Sequence, residues 1–270
     1  MKHLVLPAVI WFAVLAAPLT AAAACSRPMV VPLSSTGKSV VIKGAGISGI
    51  YPDLLRGMED KEGCTFVMSG VPRARLELMF ETGKADLLIP ASKTPKRDEV
   101  GHFVPLIQNR ATLISVETGR APVRSLAELL ARPDLRVIAV RGFDYGKTYQ
   151  EALVELGRLG RLTWEVDPLS VARLLKTGSA DATIMAPVIL AGAMQDDVRV
   201  ADLLDKLRFE PLDELPWGES GVYLSKTSLA KEDVQALLAA MTRLSQSGAV
   251  WRGFQRYLPA AVLKESVRGR

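Results

Sequence analysis

Thr82-Gly83-Lys84-Ala85-Asp86, followed by the apolar run Leu87-Leu88-Ile89-Pro90, closes a stretch that opens at Arg75 as a short amphipathic helix. The plan recurs. From Ser170 a second helix ends at Thr177-Gly178-Ser179-Ala180-Asp181 and leads into Ala182-Thr183-Ile184-Met185-Ala186-Pro187. Each glycine stands where a helix closes in a left-handed cap, and each apolar run after the aspartate suits a buried parallel strand. The two cores lie 95 residues apart, far wider than the roughly 20–50 residues of a solenoid repeat. Two similar α/β lobes in succession are the simplest arrangement, and the cleft between two lobes is a usual place for a small ligand.

Working outward, Met29–Leu33 and Ser39–Lys43 read as strands, and Gly44–Gly49 as a glycine-rich loop. Pro52 suits the first turn of a helix that carries Leu54, Leu55 and Met58 and ends near Gly63. Residues 65–68 and 111–116 follow as strands. Ser125, with Glu128 three residues on, marks a capped helix start. Leu135–Val140 and Leu162–Val166 predict further strands, with the turn Gly142-Phe143-Asp144-Tyr145-Gly146 and a helix between them. Pro211–Pro216 reads as a loop and Gly221–Leu224 as a strand. Ser228 is the expected cap of a long helix stopped at Gly248, and a last helix carries Trp251, Phe254 and Tyr257. Strands alternating with helices predict α/β lobes with largely parallel sheets.

Lys2 and His3 precede an uncharged apolar run, Leu4 to Ala24, that ends in four alanines. This pattern predicts a signal peptide over residues 1–24 and export to the periplasm. A membrane anchor is the alternative, against which Pro7, Pro18 and the small-residue end argue. Cys25 and Cys64 are the only cysteines, and in an oxidising compartment an even pair favours a disulfide. A lipidated Cys25 is the alternative, with Ala22 standing where a lipobox prefers a leucine. The net charge of +5 is dispersed rather than blocked, so a solvated surface is expected and no nucleic-acid partner.

Ser92-Lys93-Thr94-Pro95-Lys96-Arg97 follows the first buried run directly. Ligands of open α/β sheets bind beyond the carboxyl ends of strands. Two hydroxyls, free amides and an arginine there suit a carboxylate, with Arg97 offering a two-pronged grip. An ordinary exposed basic loop is the competing reading. Gly44-Ala45-Gly46-Ile47-Ser48-Gly49 fits the dinucleotide pattern, but no acidic residue stands about 20 positions on. His102 is the only histidine beyond the leader and has no nucleophile elbow to serve. A zinc or haem site lacks ligands, so no metal and no cofactor are expected.

Taken in order, Gly83-x-Ala85-Asp86, Ser92-x-Thr94-Pro95-x-Arg97, Phe103, Ser125 to Leu129, Val137 to Gly142, Gly178 to Ala182 and Ser247-Gly248 resemble the type II periplasmic solute-binding proteins. These are the family-3 receptors of amino-acid ABC transporters. The resemblance implies a two-lobed fold with a ligand cleft between lobes joined by two hinge strands. Lobe one would comprise 25–115 and 219–270, and lobe two 116–218. It implies that Thr94 and Arg97, with Ser92, hold a ligand carboxylate, and that Gly142 and Phe143, with Asp144 and Tyr145, face it from lobe two. A monomer presenting a small anionic ligand to a membrane permease or a sensor protein is expected, rather than an enzyme.

One departure stands out. These receptors place an ammonium-binding aspartate five residues after the aspartate of the second lobe's Gly-x-x-Asp, and here that position is Ala186. Asp144 or Glu219 would have to substitute, or the ligand lacks an ammonium. Arg73 and Arg75 would add positive charge near the cleft, Arg75 being counted with the ligand-binding set. The family's aromatic shelf has Tyr51 as nearest candidate, against a role in core packing. Two other functions stay open: a cyclohexadienyl dehydratase-like enzyme, which would need a positioned acid such as Glu219, and a ligand-sensing module for a separate partner.

Overall fold

A computed structural model describes residues 25–270; the expected signal peptide, 1–24, lies outside the described residues. The chain runs β1 (Met29–Leu33), β2 (Val41–Lys43), β3 (Gly46–Ser48), α1 (Ile50–Glu62), β4 (Phe66–Gly70), α2 (Arg73–Glu81), β5 (Leu87–Ser92), α3 (Pro95–Val100) and β6 (Gly101–Asn109). It continues through β7 (Thr112–Val116), α4 (Leu126–Leu130), β8 (Val137–Val140), α5 (Lys147–Arg158), β9 (Leu162–Glu165), α6 (Pro168–Lys176), β10 (Ala182–Met185), α7 (Pro187–Met194), a 3-10 turn (Ala201–Lys206) and β11 (Leu207–Pro211). It ends in β12 (Gly218–Ser225), α8 (Lys231–Gln246), α9 (Ala249–Tyr257), α10 (Ala260–Lys264) and β13 (Val267–Arg268).

Two larger sheets define the lobes. One has the strand order β13-β6-β12-β5, with the parallel pair β1-β4 beside it; the other has the order β11-β7-β10-β8-β9. The chain passes from β6 in one sheet to β7 in the other, and returns from β11 to β12. Residues 112–115, expected in the first lobe, pair here with β10 and β11. The sheets are mixed rather than largely parallel. β5 runs antiparallel to β12, and β10 runs parallel to β8 but antiparallel to β7. The returning strand β12 meets the first unit, and the entering strand β7 the second, from the opposite direction, which a local apolar pattern does not reveal.

The two Thr-Gly-x-Ala-Asp turns are built alike. Gly83 and Gly178 take φ of +67° and +69°, the left-handed backbone that glycine adopts freely. The Asp86 N–H donates to the Val30 carbonyl at 2.9 Å, and the Val30 N–H donates back to Asp86 Oδ2 at 2.7 Å. The Asp181 N–H and carboxylate close the same reciprocal pair on Arg136, at 2.9 and 2.8 Å. An arginine completes each turn: Arg27 grips Asp86 with two bonds of 2.7 Å, and Arg136 grips Asp181. These aspartates are structural ties, fastening one helix-to-strand turn to β1 and the other to the residue just before β8.

Several expectations change in detail. Gly44–Gly49 is not an open loop but the turn and second strand of a hairpin, with Val41 to Lys43 paired to Ser48 to Gly46. Ser228 does not cap α8; its hydroxyl donates to Asp86 Oδ1 at 2.6 Å, and the helix begins after Ala230 without a side-chain cap. α7 went unread because its sequence, PVILAGAM, is apolar all round. Such a helix is buried on every face. Leu190 and Met194 pack into the core of lobe two, whereas Val188 and Ala191 join the apolar cluster formed by β1, α1, β6, β12 and α8 to α10. Cys25 and Cys64 form a disulfide, Cα to Cα 4.8 Å, across 39 residues. Closing such a loop stabilises the fold by about 4 kcal/mol on the chain-entropy model. Among the described residues no helix is long and apolar enough to cross a membrane.

Burial alone would raise the Asp86 carboxyl, but Arg27, the Ser228 hydroxyl and the Val30 N–H hold it below its ordinary value. A depressed carboxylate contributes stability that is complete above its unfolded value and is lost as pH falls through the folded one. Asp86→Asn is expected to lower stability at neutral pH by about 2–3 kcal/mol, less than for a fully buried pair because Arg27 is partly exposed. Chemical denaturation from pH 7 down to pH 2 should show the variant losing less stability on acidification than the wild type.

Candidate functional site

The carboxyl end of β5 is where the lobes meet. Pro90, Ala91 and Ser92 line a cavity there with Arg73 from α2, Tyr51 from α1, Thr36 and Ser39 from the first turn, and Asn109 and Ser220 from the paired ends of β6 and β12. The opposite wall is Phe143, Asp144 and Tyr145 after β8, with Ala186, Val188 and Ile189 at the start of α7. The empty space is about 490 Å³, part of it open to solvent, within the range that holds small molecules. A second recess of about 760 Å³ adjoins it through Ser92, Asn109 and Tyr145 and runs along the connections between the lobes past Trp217 and Glu219.

Helical phase decides which arginine enters. On α2, Arg73, Leu76 and Phe80 are buried together while Arg75 is exposed, as spacings of three and seven residues require. Arg73 is 5% exposed and lines the cavity; Arg75 points to solvent. The i, i+3, i+7 spacing from Arg73 is the sequence signal that singles it out.

Arg73 and Arg97 share one carboxylate. The Arg73 Nε–H donates to Glu77 Oε1 at 2.9 Å, its Nη2 lies 2.6 Å from the same oxygen, and its Nη1 donates to the Pro90 carbonyl at 2.9 Å. Arg97 donates from Nε to Glu77 Oε2 at 3.1 Å, from Nη2 to Oε1 at 2.7 Å, and from Nη1 to the Ser92 carbonyl at 2.8 Å. Burial would push the Glu77 carboxyl up; the two guanidiniums outweigh it and hold Glu77 below its ordinary value. Burial also lowers Arg73, against the pull of Glu77.

Of the residues proposed from sequence, Ser92, Phe143 and Asp144 line the cavity. Arg97 is 4% exposed, turned toward Glu77 and absent from the lining. Thr94 is also buried away from it. Its hydroxyl accepts the Arg97 N–H at 3.4 Å as the cap of α3, and its own N–H donates to Tyr223 Oη at 3.1 Å. Gly142, at φ +83°, packs against the start of α2, where a Cβ would stand 2.7 Å from the Ala74 nitrogen. It brings the lobes together without offering a side chain.

The lining carries two phenols of different standing. Tyr145 accepts the Ala186 N–H at 3.1 Å, and burial pushes its hydroxyl up to about 12, so it stays protonated. The hydroxyl of Tyr51, 1% exposed, has no hydrogen-bond partner. An unpartnered buried hydroxyl costs about 1–3 kcal/mol, and here it belongs to a cavity wall. Tyr51 also packs edge-on against Phe254, ring centroids 6.5 Å apart. Tyr51 therefore belongs both to the core and to the cavity wall. Asp144 has one oxygen engaged, Oδ1 accepting the Gly146 N–H at 2.8 Å. Glu219 lines the adjoining recess, beside Arg270 at 3.8 Å.

No family model and no curated protein sequence matches this chain. Solved structures do. An amino-acid ABC transporter substrate-binding protein of Streptococcus pneumoniae bound to L-arginine superposes with a TM-score of 0.66 at 22% identity, over 86% of this chain and 96% of that one. The fold is that of the type II periplasmic-binding proteins. An ancestral arginine-binding protein bound to arginine matches at TM-score 0.64 and 15% identity, over 86% and 98% of the two chains. A histidine kinase sensor domain with similarity to periplasmic binding proteins matches at TM-score 0.66 and 18% identity, over 86% and 96%. These similar structures are binding and sensor proteins rather than enzymes.

The close contact at Gly142 has a measurable consequence. Gly142→Val would force a β-branched residue into left-handed backbone and press it onto Ala74. The lobes should then stay apart: small-angle scattering is expected to give a larger radius of gyration, with unchanged far-UV circular dichroism.

Proposed function

We propose that this chain is an exported solute-binding receptor that takes a small carboxylate-bearing molecule between its lobes. The observation that carries the reading is the cavity wall itself. A buried arginine with unspent N–H groups and a buried, unbonded tyrosine hydroxyl stand together in a space open to both lobes. A carboxylate against Arg73 would use the remaining donors in charge-assisted bonds, and Tyr51 would supply a neutral one. The lobe-two wall of Phe143 and Asp144 would close over it, and ligand contacts to both lobes would favour the closed arrangement. Asp144 is the acidic residue positioned to meet an ammonium group, in place of the missing aspartate at Ala186. The disulfide supports an oxidising compartment. In this reading the lobes exchange chain at residues 110–111 and 212–217, and the partner is an ABC-type permease. The likeness to a kinase sensor domain favours one second reading, delivery of the bound state to a signalling partner.

Thermal unfolding of the mature protein against amino acids, monocarboxylates, dicarboxylates and prephenate tests the proposal. A ligand at 100 times its dissociation constant should add about 2.7 kcal/mol and raise the midpoint by several degrees. Arg73→Ala is expected to abolish that shift. A full shift retained in the variant would remove Arg73 from the site.

A further inference from the structure

Three ionisable groups of lobe one, Arg73, Glu77 and Arg97, form a closed cluster beside the cavity. Both oxygens of Glu77 are taken, and every nitrogen of Arg97 already donates to Glu77 or to the Ser92 carbonyl. Nη1 and Nη2 of both arginines keep a second hydrogen, but only Arg73 reaches the lining; Arg97 is turned toward Glu77 and away from it. Resting on the receptor reading, we propose that Glu77 is a specificity-determining residue, a resident carboxylate that holds Arg97 turned away from the lining, cancels one unit of positive charge and leaves Arg73 as the single cationic anchor. The ligand class that follows is a molecule with one carboxylate.

Two arginines and one glutamate leave lobe one a single unit of positive charge. From lobe two the lining contributes Asp144, whose sign opposes any second carboxylate. The cations of the adjoining recess have partners of their own. Lys93 pairs with Asp98 at 3.1 Å, Arg110 with Glu265 at 2.5 Å, and Lys147 faces Glu151 at 3.6 Å. A short dicarboxylate would therefore bring its second charge beside Asp144 and beside cations already paired with acids of their own, which disfavours it against a monocarboxylate. Glu77 also fixes the aim of Arg73. With Nε and Nη2 held by Glu77 and Nη1 by Pro90, the guanidinium plane is set before a ligand arrives, which spares ordering entropy on binding.

Calorimetric titration with propionate and succinate tests the proposal on the mature wild type and three variants, each checked by circular dichroism for folding. The wild type should prefer propionate. Glu77→Gln, which frees Arg97, should move the succinate-to-propionate affinity ratio at least tenfold toward succinate. Glu77→Gln combined with Arg97→Gln restores the original charge and should return the ratio to within a few-fold of wild type. Arg97→Gln alone leaves Glu77 to oppose the anchor's charge and should weaken propionate without reversing the preference. An unchanged ratio in a folded Glu77→Gln protein that still binds would overturn the role of Glu77 and leave the receptor reading intact. Loss of propionate binding in the folded double variant would make Arg97 the anchor and likewise sink the proposal. Failure of the wild type to bind either acid, together with no shift in the wider panel, would overturn the receptor reading itself.

Discussion

The structure hangs on one buried carboxylate. Asp86 collects both arms of Arg27, the Val30 N–H and the Ser228 hydroxyl, while its own backbone bonds to Val30 and Ser225. Those partners come from the segment just before β1, from β1 itself and from the segment after β12, far apart in sequence. The tie therefore holds the incoming and returning chain against the turn that launches β5. The end of that strand is the floor of the cavity, and its Pro90 and Ser92 carbonyls are the acceptors that seat Arg73 and Arg97. A bond roughly 13 Å along the strand from the cavity, at about 3.3 Å per residue, thus sets where Arg73 can stand.

Lobe two repeats the device with Arg136 and Asp181 in a more exposed setting. The same reciprocal backbone-and-carboxylate pair recurs, although the surrounding sheet has a different strand order. What the two units share is local: a helix end, a left-handed glycine and an aspartate that turns back on an earlier strand. Local features of this kind are written in a short window. That is why the repeat, the lobes and the helix caps at Ser125 and Gly63 were legible in the sequence.

What was not legible is non-local. Nothing around Arg97 announces Glu77, 20 residues earlier, as its partner; the pairing follows from how α2 and α3 pack. The antiparallel course of β5 is set by β12, more than 120 residues on. Tyr51 presents an ordinary core pattern, and its place in the cavity wall emerges only when lobe two arrives. Arg73 was within reach, since it shares the phase of Leu76 and Phe80, but a basic residue on an apolar face is easily assigned to solvent. The disulfide, by contrast, needed only a count of cysteines and an oxidising compartment.

α7 gives the pair of lobes a property that a purely polar cleft would lack. Val188 and Ala191 sit in the apolar cluster of the first lobe, and Gly37 and Gly192 let backbones approach so closely that an added methyl would stand 2.5 Å from the Ile189 carbonyl oxygen or 2.7 Å from the Lys38 nitrogen. Parting the lobes along this seam wets hydrocarbon. Wetting hydrocarbon raises the heat capacity of the system, and the resistance it provides fades on cooling. In a receptor that closes on its ligand, such a seam would make the balance between shut and parted forms respond to temperature as well as to ligand.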